Sequence, residues 1–163
     1  MSLLTHLHPA LVHFPIALLL VASAAGLTYL FVWPRGELRL ITWSAALAGW
    51  VACAVAVASG LLAQAGLPPD APYRSVLNWH IGAGLGTLGV YGVLLYQAWM
   101  DRSARARRAR VRAGAPETRD YLDAPGGARM MTAVLLTVGA LLVFLTGWNG
   151  GELVYQWAVN VAQ

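Results

Sequence analysis

The sequence predicts an all-α integral membrane protein, an antiparallel four-helix bundle in the bacterial inner membrane with both termini on the periplasmic side. Composition is the first reason: 58% of the 163 residues are hydrophobic and only 11% are charged, where a soluble domain carries about a quarter charged residues. Length is the second. Crossing a bilayer takes ~20 mostly apolar residues, and stretches of that kind fall at about 9–33, 40–65, 76–100 and 130–149. The third is the placement of arginine. Arg35 and Arg39 follow the first stretch, Arg74 follows the second, and the other eight run from Arg102 to Arg129. Basic connections stay in the cytoplasm, so 101–129 is expected as a cytoplasmic arginine-rich loop within one transmembrane domain, 1–163.

Taken in order, the first span opens on LHPALVHFPIALLL, residues 7–20. It lacks a positive leader and runs too long for a cleavable signal. Pro9 suits the first position of a helix, whereas Pro15 either kinks an established helix or begins one. The second span carries Ala45, Gly49, Cys53, Ala56 and Gly60 at steps of four, four, three and four, a small-residue stripe that lets backbones approach in lipid. Pro68, Pro69 and Pro72 in the connection GLPPDAPYRS then stop that helix. Gly82, Gly84, Gly86, Gly89 and Gly92 in the third span serve tight packing or make room for a flat cofactor, and spacing alone does not choose.

Trp33, Trp43, Trp79, Trp99 and Trp148 fall near span ends, where interfacial belts form. The arginine-rich segment 101–129 reads first as a topology anchor. It also suits anionic lipid, at ~1 kcal/mol per basic residue near the surface. Its attachment to a membrane helix and its lack of interleaved aromatics argue against nucleic acid. The lone Cys53 is a small packing residue, and no CxxCH motif is present to attach a haem covalently.

The cores of the four predicted spans carry no Asp, Glu, Lys or Arg, which argues against an ion-coupled transporter or a proton pump. No nucleophile, base and orienting partner occur together, so enzyme activity has little support. The histidines are the chemical candidates: His6, His8, His13 and His80. With the amino terminus outside, His13 and His80 lie at similar depth on helices that are diagonal across the bundle. Two imidazoles so placed can be the axial ligands of a b-type haem. Gly84, one turn after His80, leaves the surface low enough for a ring, and Phe14, Trp79 and Trp148 are candidate walls. His8 is the alternative ligand. It lies about 140° from His13 on a regular helix, but a bend at Pro15 would let it fold back, and His8, His13 and His80 would then form a copper or zinc site. The alternative is structural: histidines near an interface hydrogen-bond carbonyls or face water, as His6 is expected to do.

The stretch LHPALVHFPIALLLVA at 7–22, the glycine-bearing second helix, a histidine early in the third and GGELVY at 150–155 resemble the bacterial predicted membrane protein family known as domain of unknown function 2231. The resemblance covers most of the chain outside the arginine-rich loop. It implies a four-helix membrane protein, with His8, Pro9, His13, Phe14 and Pro15 as motif positions and His80 as the third-helix match. Members also occur joined to c-type cytochrome or Rieske-type modules, which implies electron-transfer company. Two departures stand out: Trp157 and Ala158 take the places of a His-Gly pair, and Ala63 and Gln64 follow Gly60 where Gly-x-x-Asp is common.

The function these readings lead to is membrane electron transfer with haem b, as a small subunit of a respiratory or photosynthetic complex. The runner-up is a cofactor-free accessory subunit that packs against a larger complex. Copper or zinc binding is third.

Overall fold

The computed structural model describes residues 8–111, 120–124 and 126–159, so His6 and residues 112–119 and 125 of the expected loop lie outside the described residues. The main helices are α1 (His13–Phe31), α2 (Gly36–Ala63), α3 (Arg74–Val111) and α4 (Gly127–Tyr155), with short 3-10 turns at Gln64–Gly66 and Tyr121–Asp123. Among the described residues there is no strand. Counted with their flanking turns, the spans long and apolar enough to cross a membrane are His8–Phe31, Gly36–Gly66, Arg74–Ala104 and Gly127–Tyr155.

Pro9 sits in the first helical turn, where a missing N–H costs little. Residues 8–11 form a helical turn that runs into α1 at His13 through Val12, whose dihedrals stay helical (φ −64°, ψ −24°). Pro15 cannot bond the Leu11 carbonyl, so one rung of the ladder is missing there, while the bonds from Val12 to His8 and from Ile16 to Val12 remain.

The third helix outlasts its predicted span by 11 residues at its end, running to Val111 rather than stopping near 100. Alanine and arginine are strong helix formers, so DRSARARRARV carries the helix on after the apolar residues cease. Likewise α4 continues past 149 through GGELVY.

The helices pack in cyclic order, α1 on α2, α2 on α3, α3 on α4 and α4 on α1. Positions approach in reversed numerical order: Gly26 faces Thr42, Gly49 faces Leu19, and Gly60 faces His8. The same reversal links α3 to α4, with Tyr91 against Gly139 and His80 against Gly150. The second-span stripe faces inward, since Ala45, Gly49, Cys53 and Ala56 are all buried. An added Cβ at Gly49 would stand 2.7 Å from Leu19 Cδ2, so the large side chain of one helix occupies the space the other leaves.

At mid-bundle the fully buried Tyr91 crosses from α3 to α1. Its hydroxyl lies 2.6 Å from Ser23 Oγ and 3.1 Å from the Leu19 carbonyl, and Ser23 donates to the Leu136 carbonyl at 3.0 Å. Three helices therefore share one buried polar junction, in a setting where no water can replace a lost partner.

The turn at Tyr121–Asp123 closes the opposite end from the histidines. Leu122 is buried, Tyr29 donates to Asp123 Oδ1 at 2.6 Å, Trp43 donates to Asp120 Oδ1 at 2.9 Å, and Tyr121 donates to Gln97 Oε1 at 2.7 Å. Arg39 and Arg102 approach Asp120 Oδ2 at 3.8 and 3.9 Å. Trp43, expected in the belt, is thus committed to this turn, whereas Trp33, Trp79, Trp99 and Trp148 are exposed.

Candidate functional site

All four helices meet around a cavity of about 440 Å³ whose lining includes His8, His13, Gly60, His80, Gly84 and Gly150. Most of its other lining residues are aliphatic. Cys53, Thr87 and Val143 also line it, each seven residues inward from Gly60, His80 and Gly150 respectively. At 1.5 Å per residue that is ~10 Å of depth along the helices. The cavity is therefore elongated parallel to the bundle and polar chiefly at the histidine level.

His8 and His80 are brought together there, with ring centroids 6.3 Å apart and planes crossed at 84°. Each imidazole has one nitrogen committed. His80 Nδ1 lies 2.9 Å from the Thr146 carbonyl; a carbonyl only accepts, so Nδ1 carries the proton and Nε2 keeps its lone pair. His8 Nδ1 lies 3.1 Å from Ser59 Oγ, and Ser59 spends its proton on the Ala56 carbonyl at 2.9 Å. The hydroxyl therefore accepts from His8, which again leaves Nε2 unprotonated. Two basic nitrogens from diagonal helices thus share one cavity.

Glycine makes this approach possible on both sides. A Cβ at Gly60 would stand 2.8 Å from His8 Cε1, and one at Gly150 would stand 3.0 Å from His80 Cε1. Each ring rests on backbone that any larger residue would cover. Gly84 is buried in the lining, with Val57 and Thr146 at 3.8 and 3.9 Å from an added Cβ.

The remaining candidates are placed differently. His13 contributes to the lining but is exposed, so the structure pairs His80 with His8 rather than with His13. Phe14, Trp79 and Trp148 are 64%, 66% and 66% exposed, and none is among the residues lining the cavity; they face outward as belt aromatics do. The three-histidine arrangement is not formed: among the described residues no three His, Cys, Asp or Glu side chains are grouped to hold a metal ion. The sequence reading missed Ser59 and the Thr146 carbonyl. Ser59 had a signal, since it adjoins Gly60 at the end of the small-residue stripe; a backbone carbonyl has none.

Comparison with known proteins returned no match among curated proteins and none among solved structures. The profile of one family matches residues 5–163, nearly the whole chain. With four membrane-length helices and the HPALVHFP opening in place, the chain belongs to the predicted membrane protein family DUF2231.

Proposed function

We propose that this protein is an electron-transfer subunit of the bacterial inner membrane that binds one b-type haem through Nε2 of His8 and His80. The observation that carries the reading is the pair of imidazoles, 6.3 Å apart in one apolar cavity, each with Nδ1 tied off. Imidazole is a donor that haem iron takes, and the lining around the two rings is mostly aliphatic, so the residues present suit the group, which His8 and His80 would hold. Haem would supply the redox change; the chain's own part is to present two basic nitrogens, exclude water with an aliphatic lining and keep the rings from rotating.

In the same reading the bundle is antiparallel, its histidine end is periplasmic, and it serves within a respiratory or photosynthetic assembly. The reversed contact order supports the first point and the arginine distribution the second.

The test is a reduced-minus-oxidised absorption spectrum of detergent-purified protein expressed with ample haem. Sharp α and Soret bands are expected in the wild type and in His13→Ala, and should be lost in both His8→Ala and His80→Ala. A flat wild-type spectrum, or bands that survive both substitutions, would overturn the assignment.

A second reading, a cofactor-free accessory subunit, is favoured by the outer face of α3. Gly82 and Gly89 are exposed there, with nothing within 4 Å of an added Cβ. Small residues unused by the internal packing suit a neighbouring helix, and a flat spectrum together with co-purifying membrane subunits would favour this reading.

A further inference from the structure

Building on the ligation proposed above, we propose that Ser59 is the positioning residue for His8, holding its Nδ1 proton so that Nε2 stays free for a ligand in the cavity. The two histidines differ in how that state is enforced. The partner of His80 is a backbone carbonyl, which has no proton to offer and admits one tautomer only. The partner of His8 is a hydroxyl, which can donate or accept. What decides its role is the Ala56 carbonyl, 2.9 Å from Ser59 Oγ. Turning the hydroxyl round to donate to His8 would give up that second bond, although the Ala56 carbonyl would keep its helical partner, the Gly60 N–H. The chain therefore reads His8 Nδ1–H to Ser59 O–H to the Ala56 carbonyl.

Serine in a membrane helix commonly bonds back to a carbonyl of the preceding turn, and taken alone that bond would be local. Here it fixes the direction of the one proton that decides which nitrogen of His8 is basic. Gly60, the next residue, provides the bare backbone on which the ring lies. One dipeptide, Ser59-Gly60, thus sets both the tautomer and the seat of the imidazole. Partners of this kind fix ring orientation and raise ligand basicity, and their loss costs about 10–100-fold in affinity for a metal centre.

The experiment uses haem-free protein in nanodiscs with 15N-labelled histidine, the rings being assigned from His6→Ala, His13→Ala and His80→Ala. At a pH where His8 is neutral, its protonated nitrogen should be Nδ1. Ser59→Ala should shift His8 toward a mixture of tautomers while His80 stays unchanged, and Ser59→Thr, which restores the hydroxyl, should return the wild-type spectrum. In the haem-loaded protein Ser59→Ala should weaken retention about 10–100-fold and raise the reduction potential, with Thr again restoring both. A wild-type His8 protonated on Nε2, or a tautomer indifferent to Ser59→Ala, would overturn the proposal. Absence of haem from the wild type would overturn the haem reading alone, because the tautomer measurement needs no haem.

Discussion

A methyl group added at Gly60 would stand 2.8 Å from His8 Cε1, and one added at Gly139 would stand 2.7 Å from Tyr91 Cε2, yet the consequences differ. His8 is half-buried at the start of the turn that leads into α1, so its ring can swing aside. Tyr91 is fully buried, and its hydroxyl is held between Ser23 and Leu19, so Gly139→Ala must displace packed core at about 1–3 kcal/mol. Gly139→Ala should lower the unfolding free energy in a micellar denaturant titration by that amount. Gly60→Ala should melt close to the wild type yet lose the haem bands. The histidines were legible in the sequence as chemically unusual residues at the edge of lipid. Which of them pair was not, because the rotation of the first turn depends on how Pro15 breaks the ladder, and a difference of five residues turns a side chain by about 140°. Ser59 and the Thr146 carbonyl were less legible still, since hydroxyls and carbonyls occur throughout the helices and only contact singles these out.

Helix ends show the same division between composition and geometry. The apolar runs located the four spans, but α3 continues into DRSARARRARV, because backbone hydrogen bonding follows helix propensity and does not stop where lipid does. The ending of α4 is sharper. Ala158 has φ +50°, and the Val159 N–H turns back to the Leu153 carbonyl at 2.9 Å. A left-handed conformation costs an L-residue about 1–2 kcal/mol, a penalty that glycine avoids. Ala158→Gly is therefore expected to raise stability by about 1 kcal/mol, read as a higher melting temperature, and an unchanged or lower one would contradict the strain. The turn at Tyr121–Asp123 depends instead on a side chain: Asp120, at φ +25°, accepts from Trp43 Nε1 and from the Leu122 amide at 3.4 Å. Asp120→Ala strands the indole donor at a cost of about 1–3 kcal/mol, whereas Asp120→Asn keeps an acceptor oxygen and should lie nearer the wild type in the same denaturant titration.

At the scale of the whole molecule the two ends of the bundle treat their cations differently, and this bears on orientation. At the histidine end, Arg74 is folded back on its own connection, donating to the carbonyls of Leu67, Pro68 and Pro69 at 3.0, 2.6 and 3.3 Å. At the other end Arg35 stacks 3.4 Å over the ring of the exposed Trp33, and Arg39 and Arg102 flank Asp120 at distances that solvent readily screens. Arg129 at that end is likewise held, donating to the Leu30 carbonyl, but Arg35 and Arg102 stay exposed, where the field and lipid that hold basic loops in the cytoplasm can act on them. The expected topology therefore has Arg35, Arg102 and Arg129 inside and the histidine pair near the periplasmic face. Single cysteines at Ser2 and Ser103 in a Cys53→Ala background test it with a membrane-impermeant maleimide on intact spheroplasts. Ser2→Cys should be labelled directly and Ser103→Cys only after the membrane is opened. The reverse pattern would place His8 and His80 on the cytoplasmic side, and under the electron-transfer reading proposed above the donor would then have to reach them from that compartment.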